Sequence, residues 1–516
     1  MVNAAPAPRA DRRGMAAGLI FLAAWIVYLN SLGGAFVFDD TSIVLNNPQI
    51  RSLSLLNLRH IFGSHYWQTV AGQGGLYRPL IILSYALNYA AGGLHPWGYH
   101  FVNVLLHALN SVLVFLIIEA LFENRSFAAW SGLLFALHPI RTEAVAYVVG
   151  RAEALAALFF LAAWWCYLRR RTAASAAAFL LAVLTKESAF TFLAIPLLSD
   201  FIAGPRRRCP AVKRYAPFVL VAAAALGLRY VVLGGLTPLY INPTSNPLVQ
   251  AGTAARLFTA THVFGKYLWL LVFPVPLSAD YSFNQIAPIH SSWDASFLAS
   301  AVALLAVLAA TVWALGRSRP LFLCGAFFFA TFSLTSNFIR PIGTIMAERL
   351  LYLPSLGFTC AVAYAVSRAS SAAPGASARR DAATAAAVLL ALFYAGRTVA
   401  RNADWKDHLA VFSSAAVVSP NSSLVQANLA HALLYQKGDA AAAAEHALAA
   451  IRIEPGDPAA HMTLAEAYQK LGDLPHAAEA YHEVEKLAPG TPGAREAARR
   501  RQEILQKSLP RLPQRR

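Results

Sequence analysis

The first residues with the types and spacing to do chemistry are Asp39 and Asp40, adjacent carboxylates just past the first long apolar segment. A charged side chain at membrane depth costs about 2.5–3.5 kcal/mol or more, so it is kept for a task or a partner. Charges recur at similar places: Arg78, Glu143, Arg151, Glu153, Lys186, Glu187, Arg340, Glu348 and Arg349 all fall near the ends of apolar spans. An acid can position or deprotonate an acceptor hydroxyl. Cations can neutralise a leaving phosphate, and preorganised charge in a dry site is strongly stabilising. A transfer between a lipid-phosphate donor and a hydroxyl acceptor would need this set, with an apolar groove for the lipid tail. Taken singly, each residue could equally be one half of an ion pair that holds a loop on a helix.

The elements that must position these groups are apolar. Of 516 residues, 57% are hydrophobic and 13% charged, and the mean hydropathy is +0.48. The apolar residues fall in blocks of about 20, the length of a membrane-crossing helix. The fold class is therefore all-α, a polytopic membrane protein followed by a soluble helical part; a β-barrel would show short alternating segments. The net charge of +17 is carried by clusters that abut apolar spans: Arg12-Arg13, Arg169 to Arg171, Arg206 to Arg208 with Lys213 and Arg214, Arg317 with Arg319, and Arg379-Arg380. That is the positive-inside pattern, and it argues against nucleic acid as a partner. The four cysteines are scattered without a CxxC pair, so neither a disulfide framework nor a zinc site is expected.

In chain order, residues 1–14 read as a cytoplasmic tail and 15–401 as the membrane domain. About eleven spans are expected, at 15–32, 99–121, 127–138, 154–168, 173–185, 188–203, 215–233, 294–315, 320–336, 350–367 and 382–400. Residues 33–97 form a first outer loop that carries the acid pair, with short interfacial helices at 53–62 and 79–92. Residues 234–293 form a second large outer loop, and the apolar piece 256–274 within it is expected to lie at the interface, because a full crossing would misplace the later basic loops. His138-Pro139 ends a helix. This topology puts the N-terminus and the basic clusters in the cytoplasm, and Asp39, Asp40 and the charges from Arg78 to Arg349 named with them on the other side.

Composition changes near residue 402. Gly438-Asp439 recurs as Gly472-Asp473, 34 residues on, with Ala443 and Ala477 at the small packing position. A 34-residue helical period is the tetratricopeptide signature. Residues 402–493 read as that domain, with a degenerate half repeat at 402–421 and repeats at 424–457 and 458–491. So short an array should dock on the membrane domain or pair with another chain, since repeats bury their faces only against neighbours. Residues 494–516 read as a basic cap and tail.

Several runs occur in a telling order: Phe38-Asp39-Asp40, Tyr77-Arg78-Pro79-Leu80, Tyr99-His100-x-x-Asn103, His138-Pro139 with Glu143-Ala144-Val145, Gly150-Arg151-x-Glu153 and Lys186-Glu187. Leu277-Ser278-Ala279-Asp280-Tyr281-Ser282, Pro341-Ile342-Gly343, and Ala347-Glu348-Arg349-Leu350-Leu351-Tyr352-Leu353-Pro354-Ser355 follow, then Trp405 and the repeats. This series resembles the transmembrane and tetratricopeptide-repeat O-mannosyltransferase family of the GT-C superfamily, over nearly the whole chain. The resemblance implies a GT-C fold and an inverting transfer of a hexose, mannose in the family, from a polyprenyl-phosphate donor to a Ser/Thr hydroxyl. It implies Asp39 as base or acceptor-orienting residue with Asp40 as its helper, and Lys186, Arg349 and Arg78 facing the donor phosphate. Glu348 would orient Arg349, with His138, Glu143, Arg151, Glu153, Glu187 and Arg340 in supporting places. The short array leaves the acceptor open among protein, glycan and lipid. The Ala/Arg-rich composition suggests a bacterial member, hence undecaprenyl phosphate, the inner membrane, and repeats in the periplasm.

No cofactor is called for, although Asp39-Asp40 with Glu143 or Glu153 leaves a divalent metal open. His107, in mid-span, reads as a hydrogen-bonded packing residue, and His138 as either a helix-end residue or a ligand contact. Tyr66, Trp67 and Trp97 read as an interfacial aromatic belt. The rival reading is a membrane-anchored repeat scaffold without catalysis, its repeats recruiting a protein partner. A transporter would put its charges at the midplane instead.

Overall fold

The computed structural model describes residues 12–68, 75–203, 211–236, 240–370 and 377–508. Most of the N-terminal tail, the Arg206 to Arg208 cluster and the last residues of the basic tail lie outside those stretches. Every regular element among the described residues is a helix. In order they are α1 Arg12–Val27, α2 Leu55–Phe62, α3 Pro79–Gly92, α4 Pro96–Phe122, α5 Arg125–Leu137, α6 Thr142–Ala146, α7 Arg151–Leu168, α8 Thr172–Thr185, α9 Ala194–Ala203 and α10 Ala211–Leu233. Then come α11 Thr253–Val272, α12 Ala295–Ala314, α13 Arg319–Phe332, α14 Ser355–Ser370 and α15 Ser377–Asp404. The soluble part is α16 His408–Val418, α17 Ser423–Ala432, α18 Ala440–Ile453, α19 Pro458–Leu471, α20 Leu474–Leu487 and α21 Pro492–Ser508.

Among the described residues, five segments are long and apolar enough to cross a membrane unaided: Pro96–Phe122, Arg151–Leu168, Lys213–Leu233, Ala295–Ala314 and Arg380–Asp404. Helices occupy the other expected spans but are shorter, from 10 residues in α9 to 16 in α1 and α14. Several of these break at the end that faces the acid pair. A 3-10 turn, Leu29–Gly33, follows α1; His138-Pro139 stops α5; Lys186 stops α8, and the 3-10 run Glu187–Leu193 leads into α9. Proline cannot continue the ladder, and tight 3-10 turns end it locally. Each break delivers polar side chains to one end of the bundle. Arg13, Trp165, Arg169, Arg170 and Asp200 line a pocket at the other end.

An apolar core built on α4, α5, α7 and α8 joins these helices. Phe160, Phe179, Phe192, Trp164 and Phe327 pack ring on ring at its centre. Among the buried polar groups inside it, His107 is paired: it meets the Tyr352 hydroxyl at 2.9 Å and the Ala136 carbonyl at 3.0 Å, the packing role expected of it. Helix α11 has both ends at the acid-bearing face, since it follows Asn246, bonded to Ile342 O at 2.8 Å, and His138 Nε2 donates to Leu271 O at 2.9 Å.

The soluble helices pair as tetratricopeptide-like hairpins. Asp439 and Asp473 cap α18 and α20, and Gly438 and Gly472 turn the chain with φ of 76° and 82°, a region glycine enters without a Cβ clash. Their core does not stop at the membrane domain. Trp405, Phe412 and the repeat alanines belong to one apolar cluster with Val37, Ala146, Tyr147 and Ala279. The array therefore docks on the membrane domain, on the loop that carries Asp39.

Candidate active site

Asp40 is fully buried and both its oxygens are taken. Oδ2 accepts the Val37 N–H at 2.9 Å and Oδ1 accepts the Val149 N–H at 2.9 Å. It staples the first loop to the turn before α7. Asp39 is only partly exposed, and its carboxyl sits among Arg349, Tyr147, Asp280 and Glu143. Burial pushes that carboxyl above its ordinary range, while Arg349 and the Tyr147 hydroxyl pull the other way. A carboxylate so placed is a stronger base than a solvated one. Phe38, just before it, has φ of 51°, a left-handed conformation that costs a bulky residue about 1–3 kcal/mol and persists only where the surroundings enforce it.

Arg349 lies on a 3-10 turn, Glu348–Leu351. Its backbone N–H donates to Glu143 Oε2 at 2.7 Å and its Nη1 to Glu143 Oε1. Burial opposes the charge, but Glu143, Tyr147 and Asp39 more than offset it, so the guanidinium is held ionised. Glu348 does not orient Arg349, contrary to the expectation. Consecutive side chains on so tight a turn diverge, and Glu348 points inward. Its Oε1 accepts from Ser278 N at 2.5 Å and Tyr281 Oη at 2.7 Å, and Arg401 Nη2 lies 3.8 Å from Oε2. The orienting carboxylate is Glu143. It is placed by Gly150: a Cβ there would lie 2.4 Å from Glu143 O and 2.8 Å from Ala144 Cα.

A second group of charges sits where α3 and α7 begin and α8 and α10 end. Lys186 pairs with Glu153, both nearly buried. Arg78 grips Glu187 with Nε at 3.0 Å and Nη2 at 2.5 Å. Arg229, near the end of α10, is 7% exposed, donates to Gly75 O at 2.5 Å and acts on Glu187. Three cations thus share two carboxylates, which leaves the group short of negative charge. Such a site suits an anion with several acceptor oxygens, because charge-assisted bonds there are strong. Tyr66 stands between the two groups. Its ring lies under the Arg78 guanidinium at 5.4 Å, it feels Asp39 and Arg349, and its buried hydroxyl has no hydrogen-bond partner among the described residues.

The remaining candidates serve the frame. Arg151 is buried and bonded to neutral groups, Asn103 Oδ1 at 2.8 Å, Asn88 Oδ1 at 2.6 Å and Tyr99 O at 2.9 Å, so it braces α3, α4 and α7. His138 is used at the helix end, with Nδ1 accepting from Ile140 N at 3.2 Å. Arg340 is exposed on the loop before Arg349 and belongs to neither group. The metal ligand set left open does not converge: Asp40 is spent on backbone amides, Glu143 on Arg349 and Glu153 on Lys186. Four contributors were given no place in the site by the sequence: Tyr66, read as part of the aromatic belt, Asp280, noted only within its run, and Tyr147 and Arg229, not singled out at all. Arg229 breaks the positive-inside tendency as Arg78 and Arg349 do, so the same rule would have found it.

Residues 236–308 match the family described as Protein O-mannosyl-transferase TMTC, DUF1736. Protein O-mannosyl-transferase TMTC3 of Mus musculus is 30% identical over 512 residues, covering 92% of this chain and 55% of that protein. Protein O-mannosyl-transferase F38B6.6 of Caenorhabditis elegans is 28% identical over 438 residues, 83% of this chain and 61% of that protein. TMTC1 of Homo sapiens is 28% identical over 494 residues, 85% and 55% respectively.

Over most of its length the chain is similar to the TMTC family.

It spans little more than half the length of these curated relatives. No solved structure matches it. The segment by which the TMTC family matches is the second large loop together with α11 and most of α12. It supplies Asp280 beside Asp39 and the Tyr281 hydroxyl that holds Glu348. Asp280 Oδ2 in turn accepts from Ser282 N at 2.8 Å and from Ser422 Oγ at 2.7 Å, so this segment is also tied to the repeats.

Proposed function

We propose that this chain is an inverting GT-C-type glycosyltransferase of the bacterial inner membrane. It moves a hexose, mannose by the names of its relatives, from polyprenyl phosphate to a protein Ser/Thr hydroxyl on the periplasmic face. The donor phosphate sits against Lys186, Arg78 and Arg229, with Arg349 across from them, and its lipid tail leaves sideways between apolar helices. Asp39 takes the hydroxyl proton of the acceptor as the hydroxyl oxygen forms its bond to C1 of the sugar. The bond from C1 to the phosphate oxygen breaks, and the electron pair leaves on the lipid phosphate. The cations neutralise that developing charge. Asp40 takes no part in proton transfer and holds the loop. The single displacement inverts C1, and the repeats stand at the acceptor side.

The observation that carries this reading is the position of Asp39. It is the carboxylate of the pair not spent on backbone amides, and it has a cation beside it and the anion-seeking group one tyrosine away. The test is transfer in proteoliposomes with polyprenyl-phosphate mannose and an acceptor peptide. Asp39→Asn should lower transfer by about 10²–10⁴-fold, the usual worth of general-base catalysis. Full transfer by Asp39→Asn, or retention of configuration at C1, overturns it.

A further inference from the structure

The repeat array hydrogen-bonds the acid loop through His408. The Phe38 N–H donates to His408 Nδ1 at 3.2 Å, and His408 is the first residue of α16. The same ring hydrogen-bonds the Asn428 side chain on α17. Around it, the Phe38 ring lies against Phe412 at 5.6 Å and Tyr147 at 6.3 Å, and Tyr147 stacks on Trp405 at 5.1 Å. Ala35 N donates to Lys406 O at 2.8 Å, and Asp39 N donates to the Tyr147 hydroxyl at 3.0 Å. Phe38 is the residue forced to φ of 51°. Its strained conformation aims the next side chain, that of Asp39, and its own N–H is answered from the soluble domain.

We infer that His408 is a positioning residue for Asp39, so that the docked repeat array completes the active site as well as standing beside it. This rests on the transfer reaction proposed above. A backbone N–H turned away from its own chain needs an acceptor, and only a neutral imidazole offers one at Nδ1. Burial holds His408 neutral, with His431 and Asp407 the ionisable groups facing it. If the acceptor is lost, Phe38 can relax toward negative φ and swing the Asp39 carboxylate away from the acceptor hydroxyl. A shift of about 1 Å in such a group can cost about a hundredfold in rate.

The experiment compares wild type, His408→Leu, His408→Gln and His408→Asn in the full-length chain. Asn places an acceptor oxygen where Nδ1 stood, whereas the Gln oxygen falls near the place of Nε2. His408→Leu and His408→Gln should lose about tenfold to hundredfold in kcat with little change in acceptor KM, and His408→Asn should recover most of that. Hydrogen exchange at the Phe38 amide should rise in the two defective variants and fall back in His408→Asn. In an Asp39→Asn background, His408→Leu should cost nothing further. Unchanged kcat and unchanged Phe38 exchange in His408→Leu overturn the inference, as does a loss that appears only in KM. A wild type that transfers no sugar defeats the reaction itself, and the exchange measurement still reports on the His408 contact.

Discussion

The two charged groups at the loop face are built in opposite ways. The acid side (Asp39, Asp40, Glu143 and Arg349) lies on loop segments, a 3-10 turn and the five-residue helix α6. Neighbours far along the chain hold it: the second loop through Ala279, the linker through Trp405, and the repeats through His408. The cation side (Arg78, Lys186, Arg229, Glu153 and Glu187) lies at the ends of membrane helices and pairs only within the membrane domain. One side has a surplus of carboxylates and the other a surplus of cations. On the proposed function, the acceptor chemistry would depend on the soluble array, while donor recognition would be intrinsic to the bundle. Perturbations should separate the two.

The largest effect is expected on the cation side. Lys186→Met leaves Glu153 buried without its partner, and breaking a buried pair costs about 3–5 kcal/mol. The thermal midpoint in detergent should drop and donor binding should vanish. Adding Glu153→Gln removes the stranded charge, so the midpoint should recover while donor binding stays lost. Recovery of both would mean that Lys186 only neutralises Glu153, and the cation side would lose its claim to the phosphate.

Next in size is the hold on Arg349. Glu143→Gln keeps the shape but removes the charge that fixes the guanidinium. Hydrogen bonds to charged groups are worth about 1.5–3 kcal/mol, so kcat should fall roughly ten- to hundredfold. Donor affinity, measured with a non-transferable analogue, should change little. A large loss of donor affinity instead would place Arg349 with the cations and merge the two sides.

The acid side should also titrate. Asp39 must be ionised to accept a proton, and burial raises its pKa above the solvated value near about 3.9. Activity should therefore be full at high pH and decline as pH falls through that raised pKa, read in kcat/KM, which reports the free enzyme. Arg349→Gln removes the cation that favours the charged form, so the midpoint should climb by about one unit or more. An unmoved midpoint would assign the titration to another group.

How much of this was legible in advance depends on the range of the interaction. Helices stand at all eleven of the apolar stretches expected to form spans, because apolar periodicity and helix length are local. The 34-residue recurrence of Gly438-Asp439 and Gly472-Asp473 was equally plain. The acids and cations were visible as charges at span ends. Their pairing was not. Glu143 and Arg349 are 206 positions apart, and Phe38 and His408 are 370 apart. Only the packing of α6 against the turn at Glu348 decides that Glu143, rather than adjacent Glu348, holds Arg349. Asp40 looked like a catalytic helper of Asp39, because sequence shows a carboxylate but not the two backbone amides that occupy it. Tyr66 looked like a member of an interfacial belt, since nothing local marks a ring that lies between two charge groups.

The smallest effect is expected at Arg340, which shares with Lys186 and Arg349 a place at the loop-side end of a span. It is exposed, it has no ion-pair partner among the described residues, and it belongs to neither side. Exposed substitutions away from such networks change stability by within about 0.5 kcal/mol. Arg340→Ala should therefore leave the thermal midpoint, donor affinity and kcat near wild type. The result bears on where the boundary runs. The loop that carries Arg340 leads directly into Arg349, so a loss of donor affinity in Arg340→Ala would mean that the arriving lipid phosphate is gathered from this loop as well. The cation side would then reach around the acid side, and the division between a bundle that reads the donor and an array that completes the acceptor site would be drawn in the wrong place.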